Sequence, residues 1–257
     1  MRIILSPSKT KKISTYREEQ VKIPQYNSKA QKIAKKIARM SVNDISKKFK
    51  LPIDKSKELK NFYKNYDGEE YGHSLKSYDG LAFKNFQSIE KDSIFEEMKE
   101  RLVILSALYG VLSPTEGIKD YRLDMVNSIF DDKSLYQFWK KEISDYFKND
   151  DFVINLASKE YSKMLDSSKL LTIEFYEEKD GVLKQISANS KKIRGAMAYH
   201  IVKNKIISIE EIRKIKIDGY KYHKKGSNDR NLIFIKILFL NLKISIYILH
   251  FFWIYNH

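Results

Sequence analysis

Apolar positions along this chain fall into helical and extended patterns, with short polar breaks between them. Arg2-Ile3-Ile4-Leu5 predicts a short buried strand that opens onto a polar loop over residues 6–12. Over residues 28–40, Ile33, Ile37 and Met40 share one face with Ala34 beside them. Lys29, Lys32, Lys35, Lys36 and Arg39 cover the remainder, which predicts an amphipathic helix. Ser41 followed by Asp44 resembles a capping-box start for a second helix reaching about Lys50. Leu51-Pro52 breaks it, and residues 55–66 predict a third helix. Helix, short break, helix, with lysines on both sides, is the outline of a helix-hairpin-helix phosphate grip, in which Lys47, Lys48 and Lys50 would face the ligand. Such hairpins place glycines where backbone N–H groups meet a phosphate, whereas residues 50–54 hold no glycine and Pro52 removes a donor. An ordinary helical hairpin with solvated lysines fits the same residues.

Further along, residues 93–101 and 133–147 predict helices, the second with Leu135, Phe138, Trp139 and Ile143 inward. The apolar run at residues 102–112 reads as a buried strand or a helix end, and 152–156 as a strand. Residues 170–177 and 182–188 alternate as two strands around an Asp180-Gly181 turn. A basic helix over 190–205 follows, with Ile193, Met197 and Ile201 on its inner face. Strands and helices mix without a regular βαβ rhythm. The expected fold is therefore α+β: a single domain, a mixed sheet with surrounding helices and an N-terminal helical hairpin. Residues 237–257 form a strongly apolar extension. Lys236, Asn241 and Lys243 interrupt it as a span, so no membrane partner is expected and the segment reads as a peripheral packed or divergent end.

Composition narrows the chemistry. The 257 residues include no cysteine, which excludes disulfides, thiolate metal sites and peroxidatic thiol chemistry, and suits a cytoplasmic protein. Met1-Arg2 is followed by only three apolar residues before Ser6, so no signal peptide is expected. The five histidines lack metal-ligand spacing, and neither a metal nor another cofactor is expected. The net charge of +15 is uneven. Residues 1–66 carry 18 basic against 5 acidic side chains (+13), 67–180 carry 15 against 24 (−9), and 181–257 carry 15 against 4 (+11). Basic ends around an acidic middle fit a polyanion face built where the ends converge. However, 40 of the 48 basic residues are lysine, which supplies a field without the fork that arginine offers to phosphate. A merely basic surface is the alternative.

Candidate binding groups gather in a few places. Residues 105–125 combine Gly110, Pro114 and Gly117 with Asp120, Tyr121, Arg122 and Asp124 on a loop after an apolar run. Either Arg122 pairs locally with Asp120 or Asp124, or it serves a ligand. Lys9-Thr10 lacks the glycines of a phosphate loop, yet Lys9 ends a buried strand and suits an anion contact. Lys191, Lys192 and Arg194 stand near the predicted start of a helix, where free N–H groups favour anions. Asn155, Ser158, Glu160 and Tyr161 follow the 152–156 strand and can line one cleft with Ser6, Tyr121 and Arg122, or simply cap a helix at Lys159. No nucleophile–base set is visible, and no catalytic residue is assigned.

Six motifs, in order, resemble those of the YaaA-like (UPF0246) family. They are Ser6-Pro7-Ser8-Lys9-Thr10; Tyr78-Asp79-Gly80; the 105–125 stretch; Leu135-Tyr136-Gln137-Phe138-Trp139; residues 153–161, VINLASKEY; and Lys191-Lys192-Ile193-Arg194-Gly195. The match runs from residue 1 to about 236, which marks 237–257 as an addition. The resemblance implies a bacterial protein of the peroxide response, α+β in fold. It also implies a basic cleft for double-stranded DNA, distorted duplexes included, with a DNA-binding hairpin element. Lys9, Lys47, Lys48, Lys50, Arg122, Lys191, Lys192 and Arg194 would then contact DNA. An enzyme acting on nucleic acid or a small anionic substrate, through Lys9, Arg122, Asn155, Glu160 and Arg194, stays open beside it. An iron- or haem-handling accessory role is the third reading.

Overall fold

The computed structural model describes residues 1–14, 21–87 and 92–238. Strands β1 (Arg2–Leu5), β3 (Leu102–Ser106), β6 (Val153–Asn155), β7 (Leu170–Lys179) and β11 (Asn231–Ile237) form the parallel centre of a mixed sheet in the order β3-β1-β6-β7-β11. Antiparallel strands finish it: β4 (Gly110–Leu112) beside β3, β8 (Val182–Lys184) on the end of β7, then β10 (Tyr220–Tyr222) and β9 (Lys216–Ile217) beyond β11. A separate pair, β2 (Gly72–His73) and β5 (Gly117–Ile118), lies outside it.

The first strand is the hub. Ile3 stands opposite Leu102 on one side and Ile154 on the other, and Ile3, Ile4 and Leu5 are fully buried. An unbroken apolar run is what a strand covered on both faces requires. The chain leaves β1 towards β3, then crosses back to β6 on the opposite side and winds outward to β7 and β11. The carboxyl ends of β1 and β6 therefore sit where the winding reverses, the place where open parallel sheets form a binding crevice.

Ten helices surround the sheet among the described residues: α1 (Asn27–Arg39), α2 (Val42–Phe49), α3 (Ile53–Lys64), α4 (Ser74–Ser77), α5 (Lys84–Gln87), α6 (Asp92–Arg101), α7 (Leu135–Tyr146), α8 (Lys159–Ser162), α9 (Ser187–Lys203) and α10 (Ile209–Lys214). The mixed sheet, its flanking helices and the N-terminal helical hairpin are those the pattern predicts. The α1 face of Ala30, Ile33, Ala34 and Ile37 is buried. Ser41 Oγ accepts from Asp44 N (3.1 Å), starting α2 as the capping signature indicates. Between α2 and α3, Lys50 adopts the left-handed conformation (φ 53°) where a glycine is usual.

Three expectations change. The 102–112 run is neither one strand nor a helix end but β3 and β4, folded back on each other. Gly110 turns there with φ 75°, and a Cβ would stand 2.8 Å from the Trp139 ring. The expected 182–188 strand stops at Lys184, because residues 181–189 are all exposed and nothing buries one side of the alternation. Helix α9 begins at Ser187 instead of residue 190. Lys191, Lys192 and Arg194 consequently lie in its second and third turns. The free N–H groups of the helix start are therefore not beside them, and these cations gain no anion site from the helix terminus. Ile193, Met197 and Ile201 do face inward, each almost fully buried. The expected extension falls almost wholly at residues 239–257, outside the described residues.

Candidate functional site

Polar groups gather at the carboxyl ends of β1 and β6. Ser6, the first residue after β1, accepts a hydrogen bond from Ser158 N (2.8 Å) and donates to Ser158 Oγ (3.1 Å). Asn155, nearly buried at the end of β6, accepts from Ala157 N (2.9 Å) and donates from Nδ2 to Thr172 Oγ1 on β7 (3.1 Å). These bonds shape the turns that form the crevice wall. Ser158 does precede the short helix α8, but its hydroxyl is engaged by Ser6, not by a helix N–H.

The 113–125 loop closes over this wall. Tyr121 is buried, its hydroxyl between Ser106 Oγ (2.8 Å) and Tyr78 OH (2.8 Å), and its ring meets Tyr109 edge-on at 5.4 Å. Tyr63 from α3 donates to the Arg122 carbonyl (3.0 Å), and Met125 N donates to Glu160 Oε1 (3.0 Å). Glu160 thus ties the loop to α8, while Tyr136 donates to the Glu160 carbonyl (2.8 Å). Asp124 pairs with Lys9 (2.7 Å), so the local Asp124–Arg122 pair considered from sequence is replaced by one across 115 residues. The exposed guanidinium of Arg122 has no hydrogen bond or ion pair among the described residues.

Lys11 was not among the sequence candidates. Its Nζ donates to the carbonyls of Tyr121 (2.6 Å) and Lys9 (3.3 Å) and lies 4.5 Å from the Tyr121 ring centre. Burial pushes this amine down from 10.5 to about 8; Asp120 and Asp124 oppose the shift, and Arg122 adds to it. The available signal was its place two residues beyond Lys9, on the loop leaving a buried strand.

A third segment bridges to α9. Asp79 N donates to the Thr10 carbonyl (3.0 Å), Thr10 Oγ1 donates to the Asp79 carbonyl (3.0 Å), and a Cβ on Gly80 would strike Ser8. On the other side of this segment a Cβ on Gly195 would overlap the Ala82 carbonyl, so α9 docks there through bare backbone. Next to it Arg194 is half-buried, and its Nε is buried without a partner among the described residues. Burial lowers the Arg194 pKa, with Glu174 of β7 opposing. Lys191 and Lys192 are exposed, the latter 3.6 Å from Asp218. The α2–α3 hairpin abuts the same loop system, since Asn127 Nδ2 donates to the Lys48 carbonyl (3.0 Å). Lys36 and Lys48 both approach Asp131 (3.1 and 3.5 Å), whereas Lys47 and Lys50 stand exposed.

Ser6, Lys9, Tyr121, Arg122, Asn155, Ser158 and Glu160 thus belong to loops that meet beyond the carboxyl ends of β1 and β6, while Gly195, next to Arg194, packs on Ala82 of the 78–83 segment. Residues 1–226 match the family profile described as peroxide stress protein YaaA. The chain belongs to the YaaA peroxide stress protein family. Similar proteins include a UPF0246 protein of Fusobacterium nucleatum, 38% identical over 247 residues that cover 91% of this chain and 98% of that protein. Another, from Finegoldia magna, is 35% identical over 250 residues, covering 93% and 99%. A third, from Clostridioides difficile, is 32% identical over 246 residues, covering 92% and 100%. In this member of the YaaA family, several of the segments that carried the resemblance touch one another: residues 6–10 meet 78–80 and 158, and Gly195 meets Ala82. Trp139 of the fourth motif packs beneath, donating to the Ala107 carbonyl (2.9 Å). No helix among the described residues is long and apolar enough to cross a membrane.

Proposed function

We propose that this protein binds double-stranded DNA through its phosphates, with little sequence preference, as part of the cellular response to peroxide. One observation carries the reading: Asp124 is already taken by Lys9 and Asp131 by Lys36 and Lys48, while the Arg122 fork has no protein partner among the described residues. An unpaired arginine fork beside Lys9, Lys11 and the α2–α3 lysines suits an anionic backbone better than a neutral ligand. The peroxide connection comes from the family description.

Affinity for a duplex should fall with salt at a slope of about −0.9 in log K per phosphate neutralised, alike on unrelated sequences. Replacing Arg122 or Arg194 by Lys should weaken binding roughly five- to tenfold although charge is kept, because lysine cannot donate two parallel bonds. Fluorescence anisotropy over a salt series measures both effects. A flat salt dependence would sink the reading. The second reading, an enzyme on a nucleic-acid substrate, is favoured by one group in the same crevice, Lys11.

A further inference from the structure

We propose that Lys11 is an amine nucleophile for aldehydes in DNA, capturing the ring-opened sugar of an abasic site as an imine; this rests on the DNA-binding reading above. The geometry is that of a prepared amine. A neutral lysine has two N–H donors and one lone pair, and the two acceptors that Lys11 meets are the Tyr121 and Lys9 carbonyls. With both donors held, the lone pair is what remains to meet an incoming carbonyl carbon. Both carboxylates that act on Lys11 are otherwise placed: Asp124 is bound to Lys9 at 2.7 Å, and Asp120 is exposed to water. Arg122 and Lys12, both exposed, supply cations for the phosphates on either side of a damaged nucleotide.

The position differs from that of Lys119, another buried lysine in this fold. Lys119 also donates to a backbone carbonyl, that of Tyr66, and lies 4.5 and 4.4 Å from the Tyr66 and Tyr71 rings. It belongs to the aromatic packing between α3 and β5, away from the carboxyl ends of β1 and β6. Lys11 stands on the loop leaving β1, bonded to the 113–125 loop through the Tyr121 carbonyl. With its amine near 8, about a tenth is unprotonated at pH 7, against roughly three in ten thousand for an ordinary lysine.

The step balances without any further reactant. The Nζ lone pair adds to C1′ of the open-chain aldehyde, and a proton moves from nitrogen to oxygen to give a carbinolamine. Loss of water leaves a C=N bond, which is protonated to the iminium. Water is the only other product, and nothing is oxidised or reduced.

The test uses the full chain with two short duplexes, one holding an abasic site made by excising uracil, the other its tetrahydrofuran analogue, which has no aldehyde. Anisotropy reads binding to each. Sodium cyanoborohydride, as hydride donor, converts any imine to a stable secondary amine read as a covalent band. We expect binding to both duplexes and a covalent adduct only with the first. Peptide mapping of the wild-type adduct should find the added mass on Lys11, and K11R should lower the adduct per bound complex at least tenfold. Yield should rise between pH 7 and 9 as the amine loses its proton among Asp120, Asp124, Arg122, Lys9 and the buried Tyr78 and Tyr121. Binding to both duplexes without an adduct overturns the role of Lys11 and leaves the DNA reading standing. Mapping to Lys9 or Lys12 overturns it equally, and binding to neither duplex removes the DNA reading itself.

Discussion

Gly195 has no side chain because there is no room for one: the Ala82 carbonyl occupies the position a Cβ would take. The contact sets how α9 lies on the 78–83 segment, and so where Arg194 stands relative to Lys9 and Arg122. A methyl group at 195 must push the helix from backbone, which cannot rotate away as a side chain can. Gly195→Ala is expected to cost about 3 kcal/mol, read as a lower urea midpoint. If Arg194 serves DNA, the folded fraction of this variant should also bind more weakly. An unchanged midpoint would mean that α9 is held by its apolar face alone.

At the scale of elements, the α2–α3 hairpin is where pattern and structure divide. Its helices, its cap and its Leu51-Pro52 break are local and were readable. Whether it grips phosphate is a matter of what it stands beside. The structure sets it against the 119–131 loop through the Asn127–Lys48 bond, with Lys47 and Lys50 in solvent. Replacing Lys47, Lys48 and Lys50 together by Gln should weaken DNA binding on all sequences alike. The salt slope should drop by about 0.9 for each lysine that meets a phosphate. Stability should stay within about 0.5 kcal/mol, since the ion pair lost, Lys48–Asp131, is a surface one that Lys36 also serves. Gln at 50 keeps a non-glycine residue in the left-handed conformation, so folding is compared on equal terms. Undiminished affinity in a folded triple variant would leave the segment an ordinary hairpin.

Across the molecule, a chain of buried tyrosines joins the turn after α3, the 78–83 segment and the 105–125 stretch. Tyr66 OH meets Tyr109 OH at 3.1 Å, Tyr109 packs on Tyr121, and Tyr121 bonds Tyr78. Burial pushes the Tyr121 phenol up to about 12 and raises Tyr63, Tyr78 and Tyr109 well above 10. A raised folded pKa contributes stability that is fully present below the unfolded value near 10 and is lost as pH climbs through the folded values. Lys11, lowered to about 8, and Lys119, also lowered by burial, act the other way below pH 10.5, two groups against several. Stability should therefore fall steeply from about pH 10 towards 12. Urea midpoints over that range measure it. A level curve would show that these phenols ionise as readily in the fold as in the unfolded chain.

Local features were legible in the chain alone: the amphipathic helices with their caps, the alternating strand, the absence of thiol chemistry and the motifs that resembled the family. Periodicity and capping act over a few residues, so one segment carries the whole signal. The parallel centre of the sheet was not legible, because nearly a hundred residues separate β1 from its neighbour β3 and leave no βαβ rhythm to read. The start of α9 was missed for a related reason: residues 182–188 alternate like a strand, but a strand persists only where something covers one of its faces. The partners of Arg122 and Lys11 were decided last of all. Asp124 lies two positions from Arg122 and was taken by Lys9, over a hundred positions away. The lowered pKa of Lys11 comes from desolvation by residues remote in sequence. Charge is written in the chain, but desolvation and pairing depend on neighbours that only folding brings together.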